Sequence, residues 1–135
     1  MSNTWVVVAD GGQAKLFRAR GGKLTDLEVV QTVENTHAYG EHRGAMHNDG
    51  NHHALEDKFS AEIAKLLLKV ANENGYTDLV IVADPKFLGA LRNQLDPVVA
   101  KRVSASINHD WVRMPLAELG ERIAKHVAEG HQPKG

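Results

Sequence analysis

The sequence contains no cysteine, and that absence excludes several kinds of chemistry. Disulfide bonds, thiolate metal sites and a cysteine nucleophile are all ruled out, and the composition fits a reducing cytoplasm. The formal net charge is only -1 at pH 7, so no global field draws the chain to DNA or to an anionic membrane. Local recognition of RNA stays open.

Long hydrophobic runs are also missing. The N-terminus has no basic segment, its apolar run is too short for a signal peptide, and no stretch reaches the length of a membrane span. We therefore expect a cytoplasmic protein with no membrane partner. Its 135 residues suit one domain, which we assign to residues 1–130, followed by a flexible polar tail at 131–135.

Several well-known signature motifs are absent as well. The sequence has no Walker loop, no Rossmann fingerprint, no serine nucleophile elbow and no HExxH zinc motif. No cofactor is therefore predicted. What remains is a hydrophobic pattern that predicts the fold, and a polar, histidine-rich segment in the middle of the chain.

Two continuous apolar runs, Trp5–Ala9 and Leu79–Ala83, predict strands that are covered on both faces. The first run is followed by Asp10-Gly11-Gly12 and then by Ala14–Ala19. This pattern is typical of a hairpin, because Asp-Gly and Gly-Gly tolerate positive φ. A third strand is predicted at Leu24–Val33, after a second glycine turn.

The other elements are helices and one weaker strand. Apolar residues at steps of three and four predict a long amphipathic helix, with Asn51 as its N-cap and a stop at Gly75. The remaining predictions are a helix at Lys86–Leu95, a short helix after Pro97, a strand at Val103–Ile107 and a last helix from Pro115 to Gly130.

This order of elements predicts an α/β fold with three layers and a ribonuclease-H-like layout. A right-handed crossover gives a five-stranded mixed sheet of order 3-2-1-4-5, with strand 2 antiparallel and helices on both faces. Open α/β sheets bind ligands at the carboxyl ends of parallel strands, where this chain has Asp10, Asp84 and Asp110. Three such carboxylates would suit a metal-dependent nuclease, but each also suits a turn, and we prefer the turn interpretation.

A polar, glycine-rich segment precedes the long helix, and we expect the functional site there because long loops in compact domains are usually functional or disordered. Five of the chain's eight histidines lie in or beside it. The candidate site residues are Gly44, Asn48, Gly50, Asn51, His52 and His53.

The same histidines suggest a metal site. His52 and Glu56 are one helical turn apart, as are His53 and Asp57, and such pairs can bind Zn²⁺ or Mn²⁺. The remaining histidines of the segment have no fixed spacing. We therefore prefer a solvated polar loop and expect no stoichiometric metal.

The tripeptide Gly11-Gly12-Gln13 is the one with which peptide-chain release factors hydrolyse peptidyl-tRNA. Glycines let a backbone approach the ester closely, and the glutamine helps to position water and the oxyanion. A tight turn between two strands lacks the reach of an inserted catalytic loop. We therefore interpret this tripeptide as a hairpin turn.

Three segments have a more specific pattern: WVVVADGGQAKLF, ALEDKFSAEIAKLL and LVIVADPKFLGALRNQL. Over about Thr4 to Val127 the chain resembles the bacterial host attachment protein family, which is similar to the middle domain of the eukaryotic and archaeal release factor. In that domain, Gly-Gly-Gln lies in the loop before the long helix. The matching loop here, Gly40–His53, has no such tripeptide.

The resemblance implies a release-factor-like domain that acts on or near the ribosome or tRNA through the loop before the long helix. Without the tripeptide in that loop, peptidyl-tRNA hydrolysis by the usual means is not expected. A second hypothesis is a non-enzymatic regulatory protein that binds other proteins and affects attachment to host cells indirectly. A third is a metal-dependent hydrolase that uses His52 and His53.

Overall fold

The computed structural model describes residues 3–36 and 51–130, and describes side chains at 3–36 and 58–129. The predicted tail at 131–135 lies outside these ranges. The strands are β1 (Thr4–Ala9), β2 (Gln13–Ala19), β3 (Leu27–Glu34), β4 (Asp78–Ala83) and β5 (Val103–Asn108). The helices are α1 (Asn51–Asn72), α2 (Pro85–Gln94), α3 (Pro97–Ala100) and α4 (Leu116–Gly130), with a 3-10 turn at Arg20–Gly22.

The five strands form one mixed sheet of order β3-β2-β1-β4-β5, as predicted. Strand β2 is antiparallel to both β1 and β3, whereas β1, β4 and β5 are parallel. Val7 pairs with Ile81 at the centre of the sheet, and both side chains are fully buried. The prediction that the two apolar runs are central neighbours is therefore confirmed.

Each face of the sheet has its own hydrophobic core, because successive side chains of a strand point to opposite faces. On one face, Val7 and Ile81 pack with α1, α2 and α3, and the rings of Phe59 and Phe87 lie 5.7 Å apart. On the other face, the alternate residues of β1 and β4 pack against Leu119 of α4. This arrangement confirms the three-layer α/β class.

Several predicted boundaries differ from the structure. β3 begins at Leu27 instead of Leu24, because Lys23 and Asp26 form a turn in which the Asp26 N–H donates to the Lys23 carbonyl at 2.9 Å. The short helix after Pro97, predicted over residues 98–103, is α3, which ends at Ala100 because β5 begins at Val103. α4 begins at Leu116, one residue after Pro115.

The C-terminal end of α1 is closed by backbone hydrogen bonds at the predicted stop. The Gly75 N–H donates to the Val70 carbonyl at 2.8 Å and the Asn74 N–H to the Ala71 carbonyl at 2.9 Å, which is a Schellman motif. The left-handed residue is Asn74, with φ of 60°, and not the glycine that follows. Arg102 Nη1 donates to the Ala71 carbonyl at 3.1 Å, and so fastens this end of the helix to the start of β5.

Tyr76 lies between this helix end and β1. Its side chain is fully buried, its hydroxyl donates to the Leu67 carbonyl at 2.7 Å, and its ring centroid lies 5.9 Å from that of Trp5. Burial disfavours the phenolate and raises the pKa of Tyr76 to about 12, against a smaller opposing attraction from Arg102.

This pKa predicts a loss of stability at alkaline pH. The folded value is near 12 and the ordinary value is 10.0, so the contribution of Tyr76 is complete below pH 10 and is lost as the pH rises toward 12. We expect the free energy of unfolding, measured with urea across this interval, to fall less steeply for Tyr76→Phe than for the wild type. Equal slopes for the two proteins would contradict the assignment.

Strand β3 forms one edge of the sheet and contains a β-bulge. Leu16 pairs with Gln31 and Phe17 with Val29, which leaves Val30 as the additional residue on the edge strand. Val29 is 53% exposed and Val30 is 40% exposed, so this edge has apolar side chains in contact with solvent.

Candidate functional site

The carboxyl ends of four strands lie at the same end of the sheet. Ala9 pairs with Ala83 and Ala83 with Asn108, so the carboxyl ends of β1, β4 and β5 are level. Gln13 at the start of β2 pairs with Glu34 at the end of β3. We term this end of the sheet the rim and define it by four groups of residues: Asp10–Gln13, Glu34–Thr36, Asp84 and His109–Arg113.

The side chain of Asp10 organises the turn between β1 and β2. Its Oδ1 atom accepts hydrogen bonds from the N–H groups of Gly12 at 2.8 Å and Gln13 at 2.9 Å. The Asp10 N–H donates to the Gln13 carbonyl at 2.9 Å and closes the turn. The hairpin turn is thus as predicted, but its physical reason is different, because positive φ among the described glycines occurs at Gly21 and Gly22.

This geometry makes Gly12 replaceable. Its φ is not positive, and an added Cβ would lie 3.5 Å from Asp10 Oδ1, which is an ordinary contact. We expect Gly12→Ala to change the free energy of unfolding by less than about 0.5 kcal/mol. A loss of about 1 kcal/mol or more in a urea titration would contradict this description of the turn.

Asn35 joins this turn to the end of β3. It is only 1% exposed, its Nδ2 donates to the Gly11 carbonyl at 2.8 Å, and its backbone N–H donates to the Gly12 carbonyl at 2.9 Å. Asn35 lies two residues before the 37–50 segment, and its hydrogen bonds fix the end of β3 to the rim. Sequence reasoning missed this residue, because a single asparagine between a strand and a polar loop has no periodic signal.

A small polar cavity of about 120 Å³ opens beside the turn. It is lined by Asp10, Gly12, Gln13, Glu34 and Arg113. Carboxylates and a guanidinium thus share one cavity, which has room for a few water molecules or one small polar group.

The three carboxylates considered from the sequence have different surroundings. Asp10 is bonded within its turn, and Asp84 caps α2 by accepting a hydrogen bond from the Phe87 N–H at 3.2 Å. Asp110 is exposed. Within residues 3–36 and 58–129, no group of three or more His, Asp or Glu side chains is arranged to hold a metal ion.

The other sequence candidates lie partly outside the described residues. Gly44, Asn48 and Gly50 belong to the 37–50 segment, about which the structure gives no description. Asn51, His52, His53, Glu56 and Asp57 lie in the first two turns of α1, where only the backbone is described. The pairs His52–Glu56 and His53–Asp57 are therefore one helical turn apart, as predicted, and their side-chain chemistry stays a prediction.

An aromatic group that sequence reasoning missed lies at the end of β5. The rings of His109 and Trp111 are stacked, with centroids 4.9 Å apart and planes within 7°. His126 of α4 meets both rings edge-on, with centroids at 5.6 and 6.1 Å. The sequence feature that could have indicated this aromatic group is Trp111, a tryptophan in a segment without helical or strand periodicity.

Residues 5–123 match the model of a family described as "Protein required for attachment to host cells". The chain belongs to this family. The match extends over the sheet except for Thr4, over the rim and over about half of α4. It confirms the resemblance recognised in the sequence.

One similar relative of this attachment-family protein is an uncharacterized protein of Rickettsia prowazekii (strain Madrid E). It is 28% identical over 125 residues, which cover 80% of this chain and 83% of the relative.

Two solved structures are also similar. The archaeal translation termination factor aRF1 has 16% identity and a TM-score of 0.47, with 95% of this chain and 41% of that chain covered. The Aquifex aeolicus Ppx/GppA phosphatase has 12% identity and a TM-score of 0.41, covering 80% of this chain and 36% of that one. The attachment-family chain therefore spans less than half of each of these larger proteins.

Across residues 3–36 and 51–130, none of the helices combines the length and the apolar character needed to cross a membrane.

Proposed function

We propose that this attachment-family protein is a cytoplasmic binding module that acts on the ribosome or tRNA through the loop before the long helix, Gly40–His53, and that it is not a hydrolase acting through Gly11-Gly12-Gln13. The observation that supports this proposal most is the double anchoring of Asn35 to the β1–β2 turn.

Asn35 fixes the end of β3, the strand that precedes the 37–50 segment in sequence. Its buried amide and its backbone N–H bond two successive carbonyls of the turn, so the end of β3 cannot move independently of the sheet. At the other end, the segment enters α1, whose Phe59 packs against Phe87 near the rim. Binding residues are disproportionately found on loops that a rigid scaffold positions.

The hydrogen bonds of the turn argue against catalysis by Gly11-Gly12-Gln13. An oxyanion site needs backbone N–H groups that point at the substrate and are free to donate. Here the N–H groups of Gly12 and Gln13 both donate to Asp10, and the Gly11 carbonyl accepts from Asn35. The tripeptide is therefore engaged in maintaining the turn.

Two variants test the proposal, a replacement of residues 37–50 by a Gly/Ser linker of equal length and Gln13→Ala. The linker variant should keep a cooperative melt, because the two cores lie in the sheet and its helices, and should lose cosedimentation with ribosomes. Gln13→Ala should cosediment as the wild type does. Neither the wild type nor Gln13→Ala should release labelled peptide from peptidyl-tRNA.

The reverse pattern, with binding lost in Gln13→Ala and kept in the linker variant, would assign the function to the turn. If the wild type does not cosediment with ribosomes, the regulatory hypothesis takes precedence, and partners should be sought among other proteins. Whether the partner is the ribosome or another protein, binding would alter the activity of that partner, and the role in attachment to host cells would be an indirect result.

A further inference from the structure

Trp111 differs from the other Phe, Tyr and Trp residues whose side chains the structure describes. In the ranges whose side chains are described, every other Phe, Tyr or Trp is at most 8% exposed, whereas Trp111 is only half-buried. The five buried rings belong to Trp5, Phe17, Phe59, Tyr76 and Phe87. Partly exposed tryptophan is enriched where proteins bind their partners, because the ring offers a large rigid contact surface.

The rings around Trp111 hold it in one orientation. His109 stacks on one face of the indole at a centroid distance of 4.9 Å, and His126 packs edge-on against both rings. His109 itself is exposed. Trp111 covers one face of the His109 ring, and the exposed part of this ring is available to a further planar group.

Arg113 is the other unusual side chain of this segment. Within the described part of the chain, it is the one arginine without a hydrogen bond or ion pair to a protein group. The others are bonded as follows: Arg18 to Glu28, Arg20 to Asp26, Arg92 to Ser106, Arg102 to the Ala71 and Tyr76 carbonyls, and Arg122 to Glu118. Arg113 is exposed and lines the small cavity beside Gln13.

The backbone between these side chains is fixed to the sheet. Val112 is 2% exposed in the core under α4, and its carbonyl accepts a hydrogen bond from Lys15 Nζ at 2.9 Å. The backbone that carries Trp111 and Arg113 on either side of Val112 is therefore held in place. Preorganised groups of this kind bind without a large cost of ordering.

We propose that His109, Trp111 and Arg113 form a binding site for an unpaired nucleotide of single-stranded RNA. The base stacks on the open face of His109 and continues the His109–Trp111 stack, while the Arg113 guanidinium pairs with a phosphate. This inference rests on the proposed function and names the chemistry of the partner at the same rim. It adds a contact that does not depend on the 37–50 segment.

The surrounding charges favour stacking over general attraction to polyanions. Asp10 and Glu34 line the same cavity as Arg113, and Asp110 is exposed beside Trp111, so the rim is not a basic patch. With about one phosphate contact, the logarithm of affinity should fall with the logarithm of salt concentration at a slope of about -0.7. A protein that binds RNA through many lysines and arginines has a much steeper slope.

The test uses a short, labelled, unstructured adenylate oligoribonucleotide and the full chain, with binding measured by fluorescence anisotropy. His109→Ala and Arg113→Gln should each weaken binding roughly tenfold, because loss of one base–aromatic stack or one phosphate contact has an effect of this order. Trp111→Phe should keep most of the affinity, because it keeps a ring under His109. Arg122→Gln is the matched control on α4 and should bind as the wild type does. Thermal melts of all four variants confirm that they are folded.

Three results would overturn the proposal. They are unchanged binding by His109→Ala, equal affinity for a duplex RNA of the same length, and a salt slope that corresponds to several phosphates. Loss of ribosome cosedimentation in His109→Ala without any oligonucleotide binding by the wild type would identify a protein partner instead. If the expected effects of the variants on oligonucleotide binding are observed while the 37–50 linker variant still binds ribosomes, the proposed function is wrong and the nucleotide site at His109, Trp111 and Arg113 is supported.

Discussion

Replacing Ile81 with alanine lowers the free energy of unfolding by about 2 to 5 kcal/mol. Ile81 lies in the middle of β4, between Val7 of β1 and Ser106 of β5, and is fully buried. Removal of its outer carbons leaves a cavity that the close-packed sheet and helices fill only in part. Urea titration followed by circular dichroism measures the change.

The control for Ile81→Ala is Val98→Ala in α3. Val98 is 38% exposed, so its truncation removes little buried surface and should change stability by less than about 0.5 kcal/mol. A change below about 1 kcal/mol for Ile81→Ala would mean that β4 is not a central strand.

Gly120→Ala is the second large expected loss, about 1 to 3 kcal/mol. Gly120 is buried in α4, and an added Cβ would lie 2.7 Å from the Leu24 carbonyl oxygen and 3.3 Å from Thr25 Cα. The helix therefore packs directly on the backbone of the turn before β3. Backbone atoms cannot move aside as a flexible side chain can, so the helix must shift away from the sheet.

Gly89→Ala in α2 is the matched control and should have the opposite sign. Gly89 is exposed within a helix, and an added Cβ would meet no atom within 4 Å. Alanine there should raise stability by about 0.5 to 1 kcal/mol, because glycine loses more backbone freedom on folding. Comparison of the two melts separates the contact at Gly120 from the general preference of helices for alanine. Stabilisation by both substitutions would show that α4 has room to move.

The sheet order was predictable from sequence because hydrophobicity determines it directly. Only central strands are covered on both faces, so the two continuous apolar runs had to be neighbours, and Val7 and Ile81 confirm this pairing. Hydrophobic burial involves whole segments, so the predicted strand order stays correct even when a predicted strand boundary is wrong by one or two residues.

The details of the rim were less predictable, because they depend on single polar side chains. Asp10 closes its turn through its carboxylate, although the sequence suggested left-handed glycines. Asn35 gave no signal, since its partners at Gly11 and Gly12 are distant in sequence. The aromatic group around Trp111 also depends on α4, because this helix folds back and brings the ring of His126 to the end of β5.

The β-bulge at Val30 has a consequence for aggregation. An eight-residue edge strand with exposed valines and no proline or lysine is a template on which another chain can add a strand. The additional residue interrupts the regular spacing of outward N–H and C=O groups, and it increases the local twist. Glu34 places a negative charge at one end of the same strand, and at the other end Glu28 is paired with Arg18. The edge is thereby protected against the continued strand addition that leads to fibrils, while its valines stay in solvent.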